Sequence, residues 1–191
     1  NLQVIFSKNS FIKNRIAKVK DFNKKLEEDA KLYNISSVVN DSIPSSNCVC
    51  LNLESEVQFK AMAMVRNIYS LTEFIEDNNI EINGSPFSEI TDWDLNTNTI
   101  KFNFCFPIKD DVTHLTDDDI IFKKIKAKQA IKTVFNGNYN SSDLAWYALL
   151  DYAEKNNLSV SYNPFEIYKD DPHMGGNALE WSSEIYLPIK E

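Results

Sequence analysis

Two carboxylates and two tyrosines towards the C-terminal end are the residues most able to do chemistry together. Glu166 and Tyr168 lie two apart in the stretch Asn163-Pro164-Phe165-Glu166-Ile167-Tyr168. Glu184 and Tyr186 lie two apart in the last extended stretch, Trp181 to Lys190. Residues two apart on a strand share a face. If the aliphatic residues of both strands face a helix layer, Glu166, Tyr168, Glu184 and Tyr186 gather on the open face of a sheet. A carboxylate in an aromatic-lined groove is partly desolvated, at a cost of about a few kcal/mol if unpaired. A delocalised cation removes that cost, and each aromatic face adds roughly 0.5–2 kcal/mol by cation–π contact. The same desolvation raises a carboxyl pKa, which is what a general acid or base needs. Glu166 therefore suits a ligand anchor or a hydrolytic carboxylate. The plainer alternative is a solvated strand residue paired with Lys169 or Lys190.

Other reactive residue types are sparse. Cys48, Cys50 and Cys105 form no CxxC and no Cys/His cluster, so a structural zinc is not expected. They read as small buried apolar residues in a reducing compartment. His114 and His173 stand in loops with no Ser or Cys nucleophile at a recognisable spacing, and read as surface histidines. The run Asp117-Asp118-Asp119 lacks the glycine and the spaced oxygen ligands of a calcium loop, and reads as a solvated linker. Gly137 and Gly175-Gly176 are turn glycines, since neither GxGxxG nor GxxxxGK[ST] occurs. No catalytic constellation, metal site or cofactor motif is expected.

The bulk composition narrows the class. The 191 residues are 43% hydrophobic and 12% aromatic, enough for one large domain or two intimate halves. A net charge of −8 argues against a nucleic-acid surface on this chain and fits a neutral or cationic ligand. No apolar run approaches a membrane span and no signal peptide is visible, which suggests a cytoplasmic protein. The first residue is Asn1 rather than Met, so an anchor or a further domain upstream stays open.

The elements that must position these residues follow from periodicity. Leu2, Val4 and Phe6 alternate as a strand would. An amphipathic helix is expected over 10–34, with Ile12, Ile16, Val19, Leu26, Ala30 and Tyr33 on one stripe. A strand over 48–53, a helix over 55–79 and strands over 87–93 and 99–108 come next. After the acidic turn region come an extended stretch over 125–135, a helix from Ser141 or Ser142 to Asn157, and strands over 163–168 and 181–190. These two runs repeat each other. Leu71, Asn78, Asn79, Pro86 and Phe87 fall 78 residues before Leu149, Asn156, Asn157, Pro164 and Phe165, while Phe106-Pro107-Ile108 matches Leu187-Pro188-Ile189 at 81. The expected fold is α+β: duplicated βαββ units forming one antiparallel sheet with helices on one face, plus an extra N-terminal helix. Residues 1–46 would be the helical extension or linker, and 47–191 the duplicated domain, with halves about 47–109 and 123–190.

Several stretches together carry a family resemblance. They are Phe135-Asn136-Gly137-Asn138-Tyr139, the helix with Trp146 and Tyr147, Pro164-Phe165-Glu166-Ile167-Tyr168 followed by Asp171-Pro172, and Glu184-Ile185-Tyr186-Leu187-Pro188-Ile189. In order and spacing they resemble the GyrI-like effector-binding domain, which also occurs at the C-terminus of multidrug-responsive bacterial transcription regulators. The resemblance implies a duplicated βαββ fold with a groove between its halves for flat, hydrophobic, often cationic small molecules. It implies Glu166 as the anchor, with Tyr168, Glu184, Tyr186, Trp146 and Tyr147 as the aromatic and acidic surroundings. Some relatives hydrolyse reactive small molecules with such a glutamate, so a hydrolase is the alternative. A third reading is a protein-interaction module using the acidic surface and the 10–34 helix. That helix also resembles the segment joining this domain to an upstream START-like domain in some bacterial proteins. No helix-turn-helix is apparent.

Overall fold

The computed structural model describes residues 2–29, 31–109 and 119–190, so His114, Asp117 and Asp118 lie outside the described residues. The chain divides into two compact units, 1–34 and 35–191. The first holds one helix, α1 (Leu2–Asp29). It begins where alternation suggested a strand, because three alternating positions are too few to separate a period of 2 from one of 3.6. It also ends sooner than the stripe suggested, and a short strand, β1 (Tyr33–Ile35), follows. Ile12, Ile16, Val19 and Phe22 on its apolar stripe are exposed.

The second unit is built on β2 (Val39–Ile43), β3 (Ser46–Glu56), α2 (Lys60–Asp77), β4 (Phe87–Asp94) and β5 (Thr99–Ile108). It continues with β6 (Ile120–Ile125), β7 (Lys128–Gly137), α3 (Asp143–Lys155), β8 (Phe165–Tyr168) and β9 (Ser182–Pro188). The strands form one antiparallel sheet with the path β7-β9-β8-β4-β5-β3-β6, and β2 lies along β7 on the side away from β9. β2 and β6 were not expected from periodicity. Both are short, and their apolar residues are confined mostly to their ends.

The two halves, β3-α2-β4-β5 and β7-α3-β8-β9, meet where β4 pairs with β8. Their repetition extends to single hydrogen bonds. Both helices end on an Asn-Asn pair whose second member is left-handed, Asn79 at φ 52° and Asn157 at φ 53°. Asn79 N donates to Glu76 O and Ile80 N to Ile75 O, and Asn157 N donates to Glu154 O and Leu158 N to Ala153 O. These are paired Schellman caps, which the short polar side chain of asparagine tolerates well. Asn83 N binds Pro107 O in one half, and Ser161 N binds Pro188 O in the other.

Both faces of the sheet are packed. Towards the helices lie Phe102, Phe104, Ile185, Leu187, Ile131 and Phe135. The other face carries a cluster with Ile43, Cys48, Cys50, Phe87, Cys105, Ile125, Phe165, Ile167 and Tyr186. Burial of the three cysteines matches expectation, but Cys50 and Cys105 are joined in a disulfide while Cys48 is free. The sequence could not show this, because the two residues are 55 apart and only the β3–β5 register sets them opposite each other, with Cα atoms 4.0 Å apart. Closing a loop of that length typically contributes about 2–4 kcal/mol. The Cys50→Ala/Cys105→Ala variant, or wild type in dithiothreitol, should lose stability on that order in urea unfolding. An unchanged midpoint in both would show that the bond contributes nothing.

Candidate functional site

Where β4 meets β8, Ser88 stands opposite Glu166, and both are fully buried on the helix-covered face. Four side chains donate to the Glu166 carboxylate. Lys60, the first residue of α2, puts Nζ 2.5 Å from Oε2. Tyr168 donates from 2.7 Å to the same oxygen, and Trp146 Nε1 donates to Oε1. Ser142 Oγ lies 3.2 Å from both oxygens. Ser142 holds the N-cap position of α3, as the capping pattern suggested, but its hydroxyl makes no cap bond. Its oxygen accepts from the Lys60 ammonium at 2.9 Å, and its one proton is shared between the Tyr139 carbonyl at 3.0 Å and the carboxylate. Lys60 also lies 4.6 Å from the Trp146 ring centroid. With both charges almost wholly buried, this is an enclosed ion pair whose carboxylate is surrounded by hydrogen-bonding side chains.

The surroundings respond electrostatically. Burial, together with the Glu166 charge, holds the Tyr168 hydroxyl well above the usual phenol range. Burial pushes Tyr139 up to about 12. Burial also raises Asp143, with Lys60 opposing and Glu166 adding to the shift. The phenols therefore stay protonated near neutrality, as donors.

The expected four-residue cluster does not form. Register places Glu166 opposite Ile185 and Tyr168 opposite Ser183, whereas Glu184 faces Ile167 and Tyr186 faces Phe165. Glu166 and Tyr168 therefore lie under the helices, and Glu184 and Tyr186 lie on the other face. The aliphatics of β9 do face the helices, but those of β8 do not. Because both faces are packed, alternation within a strand marks two sets without saying which set faces which layer. Glu184 pairs with Lys132 and Lys169 at 2.7 Å each. Burial works to raise its carboxyl, but these two partners outweigh it and hold it below the usual range. Trp146 is buried against Glu166. Tyr147 is exposed and packs edge-on to Trp93, with ring centroids 5.6 Å apart.

Over Tyr168 opens a groove of about 590 Å³. One wall is α2, with Ala61, Met62, Met64, Val65 and Ile68. The other is aromatic, with Tyr139, Tyr168 and Trp181, and Phe104 and Phe106 extend the apolar surface. Tyr139 sits 5.1 Å from Tyr168 and 6.1 Å from Trp181 between ring centroids. Asp170 and Asp171 add carboxylates to the lining. Of the expected site residues, only Tyr168 lines this groove, and Glu166 lies directly behind it. Lys60, Ser142, Tyr139 and Trp181 belong to the site without standing among the expected ligand residues. For Lys60 a signal existed, since a lysine in the first turn of a helix opposes the macrodipole and calls for a reason.

The repeat explains why this groove is open. At the 78-residue spacing, Ile68 and Asp171 correspond to Trp146 and Trp93. Those two tryptophans meet at 5.1 Å, edge to face, and fill the mirror position. Likewise the buried pair Ser88–Met64 (Oγ to Sδ 3.1 Å) mirrors Glu166–Ser142. Among the described residues, the sole cluster of side chains able to ligate a metal is Cys48, Cys50 and Cys105, two of which are joined to each other. No helix among the described residues is long and apolar enough to cross a membrane.

Comparison with known families matches residues 53–190 to the GyrI-like small molecule binding domain. The chain belongs to the GyrI-like family. Among solved structures, this GyrI-like domain is similar to the EcmrR C-terminal domain at 20% identity, with a TM-score of 0.71, over 84% of this chain and 99% of that one. It is similar to EcmrR in an EcmrR–DNA complex at 18% identity, TM-score 0.70, over 97% of this chain and 69% of that one. SAV2435 bound to tetraphenylphosphonium shares the fold at 12% identity, TM-score 0.54, over 81% and 94%. A hydrolase encoded by lin2189 from Listeria innocua does so at 12% identity, TM-score 0.54, over 86% and 97%. No protein of curated function matches the sequence.

Glu166→Gln leaves the Lys60 ammonium buried without its counter-charge, and such a loss costs about 3–5 kcal/mol. Lys60→Met should cost a similar amount. The double variant should be less destabilised than the two single losses added together, as read by urea unfolding of all four proteins. Strict additivity would mean that the two charges are not coupled.

Proposed function

We propose that this GyrI-like domain holds a hydrophobic, largely aromatic small molecule in the groove between α2 and the Tyr139–Tyr168–Trp181 wall. Glu166 anchors the groove floor through the Tyr168 hydroxyl. The domain would serve as the ligand-sensing part of a regulator- or sensor-like bacterial protein. The observation that carries this reading is the unfilled groove itself: the repeat-related space is occupied by Trp93 and Trp146, one from each half, while Ile68 and Asp171 leave this one open. Its apolar and aromatic lining with a few polar groups has the character of small-molecule sites, and its volume is in their range. Flexible methionines on one wall suit ligands of varied outline. Likeness in fold to EcmrR and to SAV2435 with its bound tetraphenylphosphonium supports the same reading. A hydrolytic role is less well supported. Both Glu166 oxygens already accept from buried donors, and Glu166 is not among the residues lining the groove.

Ile68→Trp copies the filled position. With the uncharged dye Nile red as a fluorescent probe, wild type should bind and Ile68→Trp should bind at least about tenfold more weakly, a difference of roughly 1.4 kcal/mol. The variant's thermal midpoint should be unchanged or higher. Equal binding by both proteins would remove the groove as the site.

A further inference from the structure

Lys60 meets what a bound cation would be expected to meet. Its ammonium has a carboxylate at 2.5 Å, a hydroxyl at 2.9 Å and a tryptophan face at 4.6 Å, and the residue is 2% exposed. Its position gives it no local reason to be there. It stands in the first turn of α2, which has no acidic residue, and a cation there opposes the helix dipole. In the other half, the position 78 residues on is Asn138, which lines the groove. The repeat thus has no second lysine to pair with Ser88.

We propose that Lys60 is a built-in counter-ion that makes this groove select uncharged hydrophobic molecules over cations. The proposal rests on the groove being the ligand site and adds the charge of what it takes. With Glu166 already neutralised behind Tyr168, a cationic ligand gains little from that carboxylate unless Lys60 leaves. The other charges of the lining are Lys169, Asp170 and Asp171, and Asp170 already accepts from Ser182. The ligand must then compete with a tethered ammonium, whose effective concentration at Glu166 is on the order of millimolar or higher. An uncharged ligand faces no such competition and gains from the apolar walls alone. The lysine stem is flexible and unbranched, and its backbone lies next to the exposed Gln58 and Phe59. Exchange by a strong cation is disfavoured.

The test uses two matched probes, tetraphenylphosphonium and the uncharged triphenylphosphine oxide, titrated calorimetrically against the full chain. Wild type should favour the uncharged probe. Lys60→Met should raise affinity for the cation by about tenfold or more while changing the uncharged probe by less than about threefold. Lys60→Met/Glu166→Gln should lose that gain. A ratio of affinities in Lys60→Met within about threefold of wild type overturns the proposal.

A second measurement needs no variant. The buried Lys60 ammonium should give a slowly exchanging proton–nitrogen NMR signal in wild type. That signal should persist with the uncharged probe and broaden only at high cation concentration. Tighter binding of the cation than of the uncharged probe, with the signal untouched, overturns the proposal as well. If neither probe binds any variant while Nile red does bind and is blocked by Ile68→Trp, the groove stands and the charge rule falls. If Nile red fails too, both fall.

Discussion

The three residue pairs joining β4 to β8 hold the architecture together. Phe87 faces Ile167, Ser88 faces Glu166 and Glu89 faces Phe165. Reciprocal bonds flank them, Tyr168 N to Pro86 O at 2.9 Å and Ile90 N to Pro164 O at 3.0 Å. A proline cannot donate to a ladder but can accept from it, which suits Pro86 and Pro164 to the ends of this short seam. On one side of the seam Phe87 and Phe165 stack at 4.7 Å and tie it into the lower core. On the other, Ser88 and Glu166 face the helices. Every element of the site is placed relative to this seam: α2 brings Lys60 and Met64 to it, and α3 brings Ser142 and Trp146.

Duplication gives this fold two chances to form a groove, and divergence has used them differently. At one of the two related positions Trp93 and Trp146, one from each half, fill the space beside the charged centre at Glu166. The other keeps a serine against a methionine sulfur and leaves the space above it open. The charged centre and the open space each draw residues from both halves and meet at Tyr168, which takes part in both. A single phenol lines the cavity with its ring and touches the ion pair with its hydroxyl. Events in the cavity and events at the ion pair therefore share one side chain.

Much of the fold was legible in the sequence because duplication prints the same positions twice. The Asn-Asn pairs marked two identical helix ends, and the Pro-Phe pairs marked the two central strands. The faces of the strand Thr99–Ile108 were also legible, since Phe102, Phe104 and Phe106 do share the helix side. Glu166 and Trp146 were picked out by family resemblance, and the structure brings them into contact. What could not be read was relative register. Glu184 was grouped with Glu166 because both strands alternate, yet a shift of one residue in pairing decides whether two such residues share a face. The partner of Lys60 was invisible for a related reason. It lies 106 residues from its partner, and its place in the first turn of a helix marks it as unusual without naming the carboxylate it meets. The disulfide shares this character, since it depends on which residues a sheet sets opposite each other.

Only Lys126 and Ala127 separate β6 from β7, yet these strands lie towards opposite ends of the sheet path. Three residue steps from Ile125 to Lys128 span roughly 10 Å when extended, so the sheet must curl to bring these strand ends close together. Ile125 at the end of β6 and Ile43 of β2 accordingly share one apolar cluster with Phe165 at the centre. The halves are thus fastened twice, by hydrogen bonds along the seam and by covalent chain across the rim. A protein fastened this way cannot open like a hinged book to admit a guest. The groove between α2 and the aromatic wall therefore stands on a floor held at both the seam and the rim.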